Sequence, residues 1–168
     1  RKIYLGRQIS FNTGAGSIDE GDTLTETTGG ETAVIARVVI ETGDLDSGTA
    51  AGRLILTGAP TGSEFEGGAS TTTGGGTLTT SGASTAISIA NPSGKYECEN
   101  FDFGPGWRMY GVDGVNKGFE FDGTVYVPIT SGMEAESVPY PSHMTIHKNQ
   151  LFYSFGTNVQ HSGPGEPY

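Results

Sequence analysis

The chain has a single cysteine, Cys98, in 168 residues, so no disulfide can form within it. Cys98 sits in "KYECEN", where a thiol reads as a buried strand residue rather than a reactive nucleophile. Lysine and arginine number 9 against 19 Asp and Glu, a formal net charge of −10. A chain so poor in cations is unsuited to a nucleic-acid backbone or an anionic membrane surface. No run approaches the roughly 18 apolar residues of a membrane span, and no signal peptide is visible. No stretch holds a helical period either. The hydrophobic content of 34% is low, which suits thin sheets and long loops better than a thick helical core. The first residue is Arg1, not Met, which predicts a processed chain or a piece of a longer polypeptide.

What the chain does have is glycine, 28 residues of it, mostly beside Thr, Ser, Asp or Pro. That placement marks tight turns between strands. "RKIYLGRQISF" opens the chain as a β segment, with an opening strand over 1–10. "TAVIARVVIE" (32–41) is the strongest run. Strict alternation puts Val34, Ala36, Val38 and Ile40 on one face and Ile35, Arg37, Val39 and Glu41 on the other. β-branched residues dominate it and glycines bound it, so a strand is expected there rather than a helix. "GRLILT" and "TAISIA" (85–90) read as further strands. Between them, residues 58–85 are Gly/Ser/Thr-rich and low in complexity, interrupted by Phe65 and Leu78 as small anchors. Residues 11–92 are therefore expected to form a small β-sandwich-like module with a loose polar edge, bounded by "NPSG" (91–94).

From Lys95 onward aromatics concentrate, including Phe101, Phe103, Trp107, Tyr110, Phe119, Phe121, Tyr126, Phe152, Tyr153 and Phe155. Short strands with Gly-Asp turns ("VDGVN", "FDGT") are the style of β-propeller blades. A blade takes roughly 40–50 residues, so residues 93–168 hold an incomplete propeller-like domain. The expected fold class is all-β.

Several residues invite a chemical reading. His143 and His147 are four apart, which in a strand separates them by about 13 Å, too far to share an ion. Ser162 follows His161 without the G-x-S-x-G elbow or the helix a nucleophile needs. Asp113, Glu120 and Asp122 offer carboxylates for sugar hydrolysis, yet Asp113 and Asp122 each precede glycine and read first as turn formers. Asp44 and Asp46 in "DLDSG" resemble the start of a calcium loop, but the twelfth position is Ile55 rather than an acid. No catalytic residue, metal ligand or cofactor is therefore assigned, and an enzyme is not expected. The remaining candidate is a binding platform of Trp107, Tyr110, Asp113 and Asn116, with Tyr126 and Tyr140 nearby, suited to a glycan in a carbohydrate-binding or adhesin module.

"GFEFDGTVYVPITSGM" followed by "PSHMTIHKNQLFYSFGTNVQHSGPGEPY" resembles a segment of tail and virion structural proteins of tailed bacteriophages. "FNTGAGSIDEGDTLTETTGGETAVIARVVI" and "GTAAGRLILTG" resemble the small β module that accompanies it. The resemblance implies a propeller-type component of a tail nozzle or hub, made in the host cytoplasm and placed in the virion tail. It implies non-enzymatic assembly with copies of itself and neighbouring tail proteins, without specific nucleic-acid binding. On that reading the acidic surface would repel passing DNA.

Overall fold

A computed structural model describes residues 5–130 and 139–168. Residues 1–4 of the opening strand, and 131–133 of the resembling segment, lie outside the described residues. The described residues are strands, turns and loops with no helix among them, so the all-β expectation holds. They divide into two compact units, 5–87 and 88–168.

In the first unit, β1 (Arg7–Ala15), β2 (Thr23–Glu26), β3 (Thr32–Thr42), β4 (Ala50–Leu56), β5 (Gly68–Thr72), β6 (Thr77–Thr80) and β7 (Thr85–Ala86) form one sheet in the order β4-β3-β2-β5-β6-β1-β7. An additional β4–β1 pairing closes six of these strands into a barrel. A sandwich-like module was the expectation; the sheet instead curls until its own edges meet, which removes them. β1 makes the closure. On one side it pairs with β4 from Arg7 to Phe11 and again at Gly14, and on the other with β6 at Phe11, Asn12 and Ala15, with register shifts after Phe11 and after Asn12 respectively. Thr13 takes a positive φ of 51° at this corner, the kind of bulge that bends a strand between neighbours. Because β1 runs from Arg7 across position 10, residues 7–10 are barrel wall and not a separate opening element.

The low-complexity stretch is wall as well. β5 lies between β2 and β6, so it is not a loose edge. Its threonines are β-branched and suit the pleat. Gly76 is required where it turns: a Cβ there would meet Ser17 O at 2.4 Å and Ile18 Cγ1 at 2.5 Å. The barrel is filled by Ile9, Phe11, Ile18, Leu24, Ile35, Leu54, Leu56, Phe65 and Leu78. Strict alternation fails along β3, because the register shifts between Ile35 and Arg37. Ile35 points into the barrel, and past the bulge Val38, opposite Leu54, does too. Arg37 and Val39 turn to the other face.

In the second unit, β8 (Glu97–Phe101), β9 (Arg108–Val112), β10 (Phe119–Phe121) and β11 (Tyr126–Pro128) form an antiparallel sheet in chain order. A second sheet holds β12 (His143–His147), β13 (Gln150–Phe155) and β14 (Asn158–His161). Lys148 and Asn149 both adopt positive φ, 49° and 60°, the backbone of a two-residue primed hairpin turn. Tyr110, Val112 and Ile129 from one side share a core with Met144, Leu151, Tyr153 and Phe155 from the other. Asn91 belongs here: its N–H donates to Asn116 Oδ1 and its carbonyl accepts from Asn116 Nδ2. "NPSG" is thus part of the second unit, and the boundary falls at 87/88.

Candidate functional site

Alternation in the four-stranded sheet sorts the aromatic and charged residues of the second unit onto two faces. Cross-strand partners share a face, so Tyr110, Glu120 and Val127 point together into the core, while Asn100, Met109 and Phe121 form a row on the opposite face.

On the core face, Glu120 is fully buried. Arg108 Nη1 donates to its Oε1 at 2.9 Å, and the hydroxyls of Tyr110 and Tyr168 donate to its Oε2 at 3.1 and 2.5 Å. The Arg108 pKa is raised: burial opposes its charge, and the Glu120 carboxylate outweighs that opposition. Nearby, burial pushes the Tyr153 hydroxyl well above its ordinary range, and that hydroxyl has no hydrogen-bond partner among the described residues. Gly118 makes room for it, since a Cβ at 118 would approach Tyr153 Oη to 2.4 Å.

The outer face carries an open groove enclosing about 450 Å3, lined by Asn100, Trp107, Arg108, Met109, Phe121, Asp122 and Gly123. Trp107 is 74% exposed at its rim. Phe119 packs against Gly111, where a Cβ would meet its ring at 2.4 Å, and stacks on Tyr126 with ring centroids 5.0 Å apart.

The expected platform of Trp107, Tyr110, Asp113 and Asn116 is not assembled. Tyr110 is in the core, because three residues along a strand reverse the face. Asp113 Oδ1 accepts the N–H groups of Val115 and Asn116, and Asn116 Nδ2 donates to Asp113 Oδ2. Both side chains are buried in holding that turn. Tyr126 is buried as well, while Tyr140 is exposed. Trp107 stands at the groove just described, whereas Asp113 lines a different one beside Tyr96, Glu97 and His143, so the four are not brought to one surface.

The other candidates are spent on structure. Asp122 Oδ1 caps its turn by accepting the N–H groups of Thr124 and Val125. Asp44 Oδ1 accepts Ser47 N–H in the β3–β4 loop, and Asp46 is exposed there. Among the described residues no three His, Cys, Asp or Glu gather as a metal site. Ser162 Oγ accepts Leu151 N–H and donates to Gly163 O, while His161 Nδ1 lies against Ser162 O and its ring against Phe152. His143 and His147 stand at the two ends of β12.

Cys98 is exposed rather than buried, because β8 is an edge strand. The partial cover that remains on the sulfur, with the Glu97 carboxylate, raises the thiol pKa, so the group is not an activated thiolate.

One arrangement was missed by the sequence reading. Glu97 and Glu99 project from β8 onto the outward edge of β12: Glu97 Oε1 accepts Met144 N–H at 3.3 Å and Glu99 Oε2 accepts Ile146 N–H at 3.0 Å. Glu97 Oε2 also meets His143 Nδ1 at 2.9 Å. The Glu97 pKa is lowered, first by His143 and then by the Met144 N–H. Only the alternation of glutamates in "ECEN" hinted at it.

Comparison with protein-family models, with curated proteins and with solved structures returned no match to this chain.

Proposed function

We propose that this chain is a structural component of a tailed-phage virion, nozzle- or hub-like, acting through contacts with copies of itself and with neighbouring tail proteins. The observation that supports this reading is where apolar surface is left open. Of the six large apolar side chains exposed among the described residues, four lie in the second unit: Trp107 (74%), Val159 (68%), Tyr96 (51%) and Tyr140 (40%). Exposed aromatic and aliphatic groups are covered when proteins associate. The sheet β8-β9-β10-β11 runs in chain order, the hydrogen-bonding plan of a propeller blade, and β12-β13-β14 follows the same plan with one strand fewer. The barrel stands in this reading as the accompanying β module. The placement in a phage rests on the resemblance of "HKNQLFYSFG" and "QHSGPGEPY".

The test is electron microscopy of the encoding phage's purified particles, labelled with antibodies raised against this chain. Label confined to the tail is expected; particles without the chain refute the reading.

The Trp107 groove favours a second reading, a glycan-binding module. An exposed indole supplies a flat stacking face, and Asn100 at the rim supplies a hydrogen-bonding amide. A glycan array distinguishes it: specific binding that Trp107→Ala abolishes with the fold intact would favour the glycan.

A further inference from the structure

The three-stranded sheet has two edges, and they are treated differently. On β12 the outward N–H groups of Met144 and Ile146 are occupied by the carboxylates of Glu97 and Glu99. That edge is closed by side chains from the neighbouring sheet. Among the described residues, no strand pairs with the outer side of β14.

The hydrogen-bonding phase of β14 follows from its partners. Ser162 N–H donates to Leu151 O at 2.9 Å, and β13 and β14 pair Tyr153 with Gln160 and Phe155 with Asn158. In an antiparallel ladder directly opposed residues alternate between bonded and non-bonded pairs. Asn158 and Gln160 therefore bond to β13, and Val159 and His161 turn their amides and carbonyls outward. Val159 is also 68% exposed. Edge strands are ordinarily blunted by Lys, Pro, an inward charge or a bulge. "NVQH" carries none of these, and its register with β13 is continuous.

We propose that β14 is a pairing edge for the β14 strand of a second copy of this chain, joined antiparallel about a two-fold axis. This rests on the assembly reading above and gives it a location. Two features single out a second copy as the occupant. The chain carries a net charge of −10, so two copies repel wherever their carboxylates meet. β14 has no acidic residue, which makes it a strip where like copies approach at little electrostatic cost.

Second, the edge is self-complementary. A register centred on Gln160 sets Val159 of each copy opposite His161 of the other. Both outward residues of each strand then exchange their main-chain bonds, as an isologous contact requires. The same register lays the exposed Val159 side chain against the His161 ring, which already rests on Phe152. Two three-stranded sheets become one of six strands by β-augmentation. A contact this short gives a weak, concentration-dependent dimer.

Sedimentation velocity over a dilution series, combined with amide hydrogen exchange, tests it on the whole chain. The expected result is a monomer–dimer equilibrium in which the Val159 and His161 amides are protected only in the dimer. Val159→Pro removes an N–H that β13 does not use, and Val159→Lys places a charge on the edge. Each is expected to leave a folded monomer, and the lysine variant decides the matter if the proline variant misfolds. A chain that stays monomeric to its solubility limit refutes the edge. So does a dimer that both variants leave intact. Loss of the edge while antibody still labels phage tails removes this proposal and not the assembly reading.

Discussion

The two units reach stability by opposite means. The barrel joins β1 to both β4 and β6, so its wall leaves little open edge, and it fills the interior mostly with Ile and Leu. The second unit keeps open-edged sheets, packs them with tyrosine and phenylalanine, and buries an ion pair at Arg108–Glu120. Closure costs the barrel long low-complexity segments with precise bulges. Openness costs the second unit exposed apolar groups, yet it leaves main chain and aromatics available to a partner. On the assembly reading proposed above, contact with a partner is expected to fall mainly on the described residues of the second unit, where four of the six exposed large apolar side chains lie.

Substitutions can break this contrast. The largest effect is expected from Glu120→Ala, which removes the buried carboxylate that the Arg108 guanidinium and the hydroxyls of Tyr110 and Tyr168 bond. Removing one partner of a buried pair costs about 3–5 kcal/mol. Trp107 is the chain's one tryptophan, so denaturation followed by its fluorescence reports the second unit directly. In the barrel, Leu54→Ala deletes a fully buried side chain at a cost of about 2–5 kcal/mol. Its expected signature is faster amide exchange in β3 and β4 with a smaller change in the tryptophan transition. Equal shifts in both readouts for both variants would mean that the two units do not differ as described.

Asp113→Ala comes next. It leaves the buried N–H of Asn116 and the neighbouring Val115 N–H without their acceptor, at about 1–3 kcal/mol by denaturant midpoint. Trp107→Ala follows. A side chain 74% exposed should change stability by no more than about 0.5 kcal/mol, measured by circular dichroism because the fluorophore is gone. A large loss would place Trp107 in the core economy and remove it from the surface.

The strands were legible because they announce themselves locally. "TAVIARVVIE" and "QLFYSF" are β-branched or aromatic runs with turn residues at both ends, and β3 and β13 lie on them. Phe65 and Leu78 stood out as apolar islands in a polar stretch, and both are in the barrel core. Closure was not legible. It depends on one strand serving two neighbours across a bulge at Thr13, and nothing in "FNTG" states which strands those are. The bulge after Ile35 likewise moved Arg37 and Val39 to the face that strict alternation denied them. The binding platform failed for a simpler reason. Tyr110 and Trp107 are odd neighbours on one strand segment, and Asp113 and Asn116 answer to the backbone of their own turn. Edge protection by Glu97 and Glu99 was hidden because it joins positions more than forty residues apart, and sequence spacing carries no sign of that.

The smallest effect probes the guarded edge itself. Glu97 is partly exposed, with His143 at 2.9 Å and more exposed still, so solvent screens the contact and little stability depends on it. Its titration is the sensitive readout. The folded-state pKa of Glu97 is lowered, first by His143 and then by the Met144 N–H. The stability it contributes is therefore present above the ordinary carboxylate pKa of about 4.3 and lost as pH falls through the lower folded value. Carboxyl-carbon NMR should place the Glu97 midpoint below that of an unperturbed glutamate. His143→Ala should raise it part of the way, because the Met144 N–H still donates, and added salt should move it in the same direction. If Glu97 titrates as an ordinary glutamate at low salt, its carboxylate is not held on β12. The β12 edge would then be covered at Ile146 alone, by Glu99, and the contrast with β14 that assigns pairing to that strand would be weakened.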